Sequence, residues 1–428
     1  MNEYKNIERI IVLFNLVTIV LYLFPPIVTN YNNKYLVVAY LLTSVMLMRL
    51  GFRRGQRKAH VKLMSKNNNA VASITGRQLT FFFVFYSLTF LVRYGYLLGY
   101  SPTNISGMFD RLIIGAMDSR VGYQLTSIRG SSPVPWSLYV IVCLVDQIFF
   151  ILVLVNWRYE TKIQKLLGLI FIFIELFYWV GCGTSFGVIA MLTNILFVYN
   201  VSPIGNDQKR QKKRGRKLMR AILVAGLFAI AVTFFSYNLN GRLGGDSDQA
   251  LSDLMNHYQF QQDSFILNVL PESLWSSYYY VYSYLCQGYD ALANAMSLDV
   301  CWTKFLGSSP SLMHIGHLIT GYDAFQDSYM VALESCGIDA TVNWHSAYLW
   351  WANDFTIPGA LVIVYILSLI CGFACVDCSQ TGNILSKIVF VVFANMLLFM
   401  FANNTYLANV FYPMLLVFPI WLYKRVLK

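Results

Sequence analysis

The chain has 428 residues, of which 57% are hydrophobic and only 12% charged, and its mean hydropathy is +0.52. A soluble domain is about half apolar and a quarter charged, so a water-soluble globular fold is excluded. The net charge of +11 implies no nucleic-acid partner, because the cations sit in short loops beside apolar segments. A membrane span needs about 20 predominantly apolar residues, and in hydrocarbon such spans have to be helices. Ten segments qualify, near 10–29, 35–50, 79–100, 136–156, 166–183, 184–200, 218–237, 357–376, 385–402 and 406–423. The expected fold class is therefore an all-α integral membrane protein of about ten transmembrane helices with one large helical extracytoplasmic loop.

In chain order, the first span contains Pro25-Pro26 near its end and lacks a small-residue cleavage site, so it is expected to stay as a helix rather than act as a removable signal. Cations cluster in Arg49 to Lys66, Arg158 to Lys165, Lys209 to Arg220 and Lys424 to Lys428. The positive-inside rule makes all four cytoplasmic, so both termini are expected inside, with 30–34, 101–135, 238–356 and 403–405 outside. The domains expected are 1–237 (seven spans), 238–356 (the outer loop) and 357–428 (three spans).

Arg93 lies inside the third span, where an arginine is expensive unless paired or facing a wet cavity. Snorkelling to the interface is the competing account. Asp146 and Glu175 fall within the fourth and fifth spans, where polar contacts inside the bundle suffice to explain them. The shorter outer loop, 101–135, carries Arg111, Arg120 and Arg129.

Residues 238–356 hold twelve Asp or Glu against two Lys or Arg, a net −10 that leaves +21 on the rest of the chain. Apolar residues at helical spacing predict helices around Ser252 to Leu270 and Leu274 to Leu298, while Gly307-Ser308-Ser309-Pro310 predicts a turn. Four of the five histidines lie here (His257, His314, His317 and His345), with the lone cations Arg242 and Lys304. His titrates near neutrality and exchanges protons, and Arg offers a planar fork matched to phosphate oxygens. His314 and His317 share a helical face, but no acidic third ligand accompanies them, so no metal is expected. Cys286, Cys301 and Cys336 permit one disulfide and require none; Cys371, Cys375 and Cys378 read as small packed residues of one helix face. Interface belts account for many of the aromatics, and a minority suit stacking against sugar rings, though composition alone does not say which.

At Asn343 to Gly359 the chain reads NWHSAYLWWANDFTIPG and runs directly into the eighth span. This stretch, with YVYSYLCQGYDALANAM and LGSSP before it, resembles the outer-loop motif of Wzy-type oligosaccharide repeat-unit polymerases, which are related to O-antigen ligases. Ser346 stands where that family usually has Asn, and Thr356-Ile357-Pro358-Gly359 replaces its paired glycines. The resemblance implies a GT-C-like membrane glycosyltransferase of the bacterial inner membrane, joining undecaprenyl-diphosphate-linked repeat units into surface polysaccharide without a cofactor. It matches His345 to the family's outer-face histidine and Arg242 to an arginine at the start of its long loop, as the catalytic pair. Arg93, Arg120, Arg129, Lys304, His314 and His317 are then expected to bind the diphosphate, and Trp344, Trp350 and Tyr322 the sugars. The expected partners are the lipid-linked oligosaccharide, the bilayer, a chain-length regulator and a flippase. The alternatives are an O-antigen ligase and a non-enzymatic transporter of lipid-linked sugars. Asp354 reads as an N-cap-like residue for the eighth span.

Overall fold

The structure is a computed structural model that describes residues 5–28, 33–65, 76–127, 132–201, 259–261, 264–340, 343 and 345–428. Among these residues all regular structure is helical, apart from one isolated bridge between Ile27 and Phe260. The helices are α1 (Lys5–Leu23), α2 (Lys34–Ser65), α3 (Gly76–Leu98), α4 (Ile105–Met117), α5 (Ser119–Ser127), α6 (Trp136–Asn156), α7 (Lys162–Gly181) and α8 (Phe186–Val201). They continue with α9 (Phe265–Val269), α10 (Trp275–Ala295), α11 (Pro310–Thr320), α12 (Tyr329–Ala332), α13 (Ala347–Thr381), α14 (Ile384–Leu398) and α15 (Thr405–Trp421).

Seven of the described helical segments are long and apolar enough to cross a bilayer, those of α1, α2, α3, α6, α7, α13 and α15, and α8 and α14 are shorter apolar helices. The chain is therefore an all-α, multi-pass membrane protein. The expected span at 218–237 and most of the helix expected at 252–270 lie outside the described residues. Two boundaries differ from the sequence reading. The span expected at 35–50 belongs to the 32-residue helix α2, which carries the following basic run on the same helix. The eighth span is preceded by a further helical stretch: helix begins at Ala347, Thr356 breaks it with φ 67°, and the span expected from 357 follows the break. Thr356 itself caps the second half, its Oγ1 accepting from Gly359 N at 3.3 Å. Pro358 follows in the first turn, where its missing N–H costs nothing. Thr356, rather than Asp354, is the cap.

The chain forms two compact units. The first comprises Met1–Asn69, Leu251–Asp377 and Val389–Phe411. Here α10 packs against α1 and α2, joined by Thr18 Oγ1 to Tyr289 Oη at 2.9 Å and by Asn33 Nδ2 donating to the Ala293 carbonyl at 3.1 Å and Ser297 Oγ at 2.6 Å. On α2, Gly51 and Gly55 stand one turn apart and face α13. A Cβ at Gly51 would come within 2.5 Å of the Tyr365 carbonyl, and one at Gly55 would overlap the Leu369 carbonyl. Gly372 faces back onto the Phe52 carbonyl. Lipid offers no hydrophobic drive between helices, so close backbone approach through such small residues is how two spans gain contact.

The second unit comprises Ala70–Ala250, Cys378–Ile388 and Tyr412–Lys428. Its core between α3, α6 and α7 is aromatic, built on Phe83, Tyr86, Phe149 and Phe171 with Leu79 and Val153. Gly115, Gly122 and Gly181 let α4, α5 and α7 meet backbone to backbone.

Substituting Gly55 by Val should lower the midpoint of thermal unfolding in detergent, at a cost of about 1–3 kcal/mol for overpacking. Gly76→Ala, at a position with no neighbouring atom within 4 Å, should leave the midpoint unchanged, and differential scanning fluorimetry compares the two.

Candidate functional site

The motif around His345 lies in the first unit, where the start of α13 meets the turn before α15 and the loop before α11. Sequence locality explains part of this. Ala347 begins the helix, its N–H donating to the Met400 carbonyl at 3.1 Å, so residues 345–347 lie alongside 400–403. Gly288 of α10 closes in from the other side, because any Cβ there would stand 2.6 Å from both Ser346 N and the Phe401 carbonyl.

His345 is buried, at 1% exposure. Its backbone N–H donates to Asn403 Oδ1 at 2.6 Å, and Trp350 Nε1 approaches the same oxygen at 3.4 Å. The imidazole hydrogen-bonds the Asn343 carbonyl, while Nε2 has no partner. The bond to a carbonyl requires a ring N–H, which leaves the lone pair of the neutral ring on Nε2. Burial pushes the imidazole down to about 4, more strongly than the Asn343 carbonyl and the Asp339 charge raise it. The side chain is thus a neutral base at physiological pH. Two neighbours share its condition: Ser346 Oγ and Trp351 Nε1 are also buried without a hydrogen-bond partner. Native structures satisfy nearly all buried polar atoms, so an acceptor and two donors left open within seven residues call for a ligand or water.

One turn and a half further on, Asn353 and Asp354 hold the loop 303–308. Asp354 Oδ1 accepts from Thr303 Oγ1 at 2.5 Å and from Gly307 N at 3.1 Å, and its Oδ2 accepts from Ser308 Oγ. The Asn353 carbonyl accepts from Thr303 N at 2.9 Å, and Asn353 Oδ1 accepts from Tyr329 N at 2.9 Å. Asn404 Nδ2 donates to the Ser308 carbonyl at 2.7 Å. These bonds fix a loop in which Lys304 and Phe305 both take positive φ, at 54° and 66°. Left-handed non-glycine residues cost of order 1–3 kcal/mol each and persist where the surroundings over-determine them.

The other expected site residues are distributed as follows. In the first unit, exposed Lys304 places its Nζ 3.9 Å from the centre of the Tyr322 ring, whose hydroxyl donates to Asp327 at 2.6 Å. Trp350 packs inside a core with Met313, Ala324, Met330 and Ala340, so its ring faces protein. His314 and His317 are exposed on α11. In the second unit, Arg93 is buried and paired with Glu175; it also donates to the Asp146 carbonyl at 3.1 Å and to the Tyr94 hydroxyl at 3.2 Å. Tyr86 donates to the same Glu175 oxygen at 2.9 Å, and Thr89 to Asp146 Oδ1 at 2.9 Å. Arg93 is thus neither snorkelling nor open; its charge is balanced within the bundle. Arg120 is exposed on α5. Arg129, Arg242 and Trp344 lie outside the described residues. All eight cysteines remain thiols, and among the described residues no three His, Cys, Asp or Glu side chains converge as a metal site.

Sequence reasoning missed Asn403, Asn353, Thr303 and Ser308. Asn403-Asn404 was visible only as a polar pair between two apolar runs, which reads equally as a turn. No family model, curated protein or solved structure matches this chain.

Two outcomes follow from this geometry. The folded chain keeps His345 neutral where the unfolded chain would protonate it near 6.5, so protons favour unfolding as pH falls from about 6.5 toward 4. The loss is on the order of 3 kcal/mol, absent above that window. Thermal midpoints measured across this range in detergent should fall less steeply for His345→Asn than for the unsubstituted chain. Asp354→Ala leaves the Thr303, Gly307 and Ser308 donors without their acceptor, at about 1–3 kcal/mol per buried unmet group. Hydrogen exchange should then rise in 303–308 while α2 stays protected.

Proposed function

We propose that the chain is a polysaccharide polymerase that transfers a growing glycan from a lipid-diphosphate donor to a hydroxyl of the next lipid-linked repeat unit. The observation that carries this reading is His345: a buried neutral imidazole with an open Nε2, inside the motif that resembles the repeat-unit polymerases. The open Ser346 hydroxyl and Trp351 indole N–H, within seven residues of it in sequence, suit a polyhydroxyl substrate, which presents both donors and acceptors. The multi-pass architecture supports it too, since a polyprenyl-linked substrate is delivered within the bilayer.

In this mechanism Nε2 of His345 accepts the proton of the acceptor hydroxyl as its oxygen bonds to the anomeric carbon. The anomeric carbon–oxygen bond to the diphosphate breaks, and the lipid diphosphate leaves with the electron pair. The proton stays on His345 until the product departs. Cations must meet the charge that develops on the leaving group. By the resemblance that role falls to Arg242, and not to Arg93, where an incoming phosphate would have to displace Glu175. Asn403 is a positioning residue, since it holds the His345 backbone. The basic runs in the sequence support a reading in which the motif faces away from the cytoplasm, both termini lie inside and ten spans cross the membrane, and the resemblance implies a bacterial inner membrane.

The test is glycan length in a deletion strain carrying His345→Ala. Long chains should vanish while single repeat units remain attached, a loss of about 100-fold or more in polymerisation. Loss of single units as well would favour a ligase, and normal long chains would overturn the assignment. Purified protein that extends no lipid-linked repeats, while moving them across vesicles, would favour transport.

A further inference from the structure

Outside the spans, large apolar side chains are exposed where the strained loop meets α13. Trp302 is 55% and Phe305 59% exposed, and their rings contact each other edge-on at 6.0 Å. Phe305 reaches Phe355, 5.8 Å between ring centres, and Phe355 is itself exposed. Val300 continues the patch at 67% exposure. Phe305 gets there at the cost of a left-handed backbone, and the Asp354 clasp holds it there.

The depth of the patch decides what it meets. Phe355 is the last residue before the break at Thr356, and beyond the break α13 runs through the apolar stretch that crosses the bilayer. Phe355 therefore stands at the end of the apolar helix that follows the break. An indole and two phenyl rings presented together at that end have the composition of an interfacial belt, where aromatic rings lodge among headgroups. Trp302 and Phe305 thus add to the span a second, loop-borne attachment.

We propose that Trp302, Phe305 and Phe355 form an aromatic foot that rests in the headgroup layer of the membrane surface at which α13 enters, holding the 302–308 loop and the adjoining His345 segment against the lipid. This inference concerns a lipid surface and does not depend on the reaction assigned above.

The experiment uses the full chain reconstituted in phosphatidylcholine vesicles, with a solvent-sensitive fluorophore on a single accessible thiol. Phe305→Cys is labelled in a Cys301→Ser, Cys336→Ser background, and Val300→Cys in the same background gives a second site should Phe305→Cys fail to fold. Native Cys336, exposed between acidic Glu334 and Asp339, gives the aqueous reference in Cys301→Ser alone. The foot predicts that nitroxide carried near the lipid headgroup quenches the label at 305 or 300 several-fold more than at 336, while aqueous iodide does the reverse. A label at 305 and 300 open to iodide and insensitive to lipid nitroxide would overturn the proposal. So would protection from both quenchers, which would mean that protein, not lipid, covers the patch.

Discussion

A polar group inside hydrocarbon has no water to turn to, and the arrangement of this chain follows from that. In the described spans several such groups meet a partner that the packing supplies. Arg93 is the extreme case: a guanidinium buried between α3, α6 and α7 is tolerated because Glu175 balances it and Asp146 and Tyr94 take further N–H groups. In the first unit the partners are gentler. Asn15 of α1 donates to the carbonyls of Ile11 at 2.9 Å and Leu397 at 3.1 Å, and Ser44 of α2 meets the Tyr348 hydroxyl at 2.8 Å. Each such bond contributes about 0.6–2 kcal/mol in a membrane. Their larger effect is on register, since sliding a helix by one turn would strand a polar atom in lipid.

Within the segment 345–351 three open groups stand close together in sequence. The chain has the means to satisfy buried polar atoms, yet Nε2 of His345, Oγ of Ser346 and Nε1 of Trp351 stay open within it. Asn403 shows that capacity was at hand, because it satisfies the His345 backbone N–H and reaches the Trp350 indole. Open buried atoms of this kind call for a ligand or water. The neutral state of His345 belongs to the same account: the burial that keeps the ring uncharged is what keeps it a base.

The membrane class and most spans were legible in the sequence because hydropathy over about 20 residues is a one-dimensional property. His345 was singled out by its surrounding motif, and the structure adds that it is buried with an open Nε2. The fate of Arg93 was legible only as a choice between pairing and exposure. Its partner sits 82 residues away on another helix, and helix pairing in lipid depends on which faces are small or polar, a weak signal in a uniformly apolar run. The helical stretch from Ala347 to Phe355, ahead of the expected span, was not legible for a physical reason. Thr356-Ile357-Pro358-Gly359 looks like the end of a loop, since proline and glycine punctuate helices. Here they sit inside one, where Thr356 ends one helix and caps the next. Clasp residues such as Thr303 and Ser308 carry no periodicity at all, and only the folded loop shows what their hydroxyls are for.

That break explains how one helix serves two purposes. A span packed through Gly51, Gly55 and Gly372 has its rotation set by where those glycines meet carbonyls. If α13 continued unbroken to Ala347, the same rotation would dictate which way Asn353 and Asp354 point. Thr356 at φ 67° uncouples the two, so the upper part is free to aim both side chains at the 303–308 loop. Among the described residues, Lys304, Phe305 and Thr356 are the non-glycine residues with positive φ, and ring contact between Phe305 and Phe355 brings all three to one place. Strain gathered at one point, and held by a carboxylate with three donors, is the signature of a conformation kept for use rather than for stability.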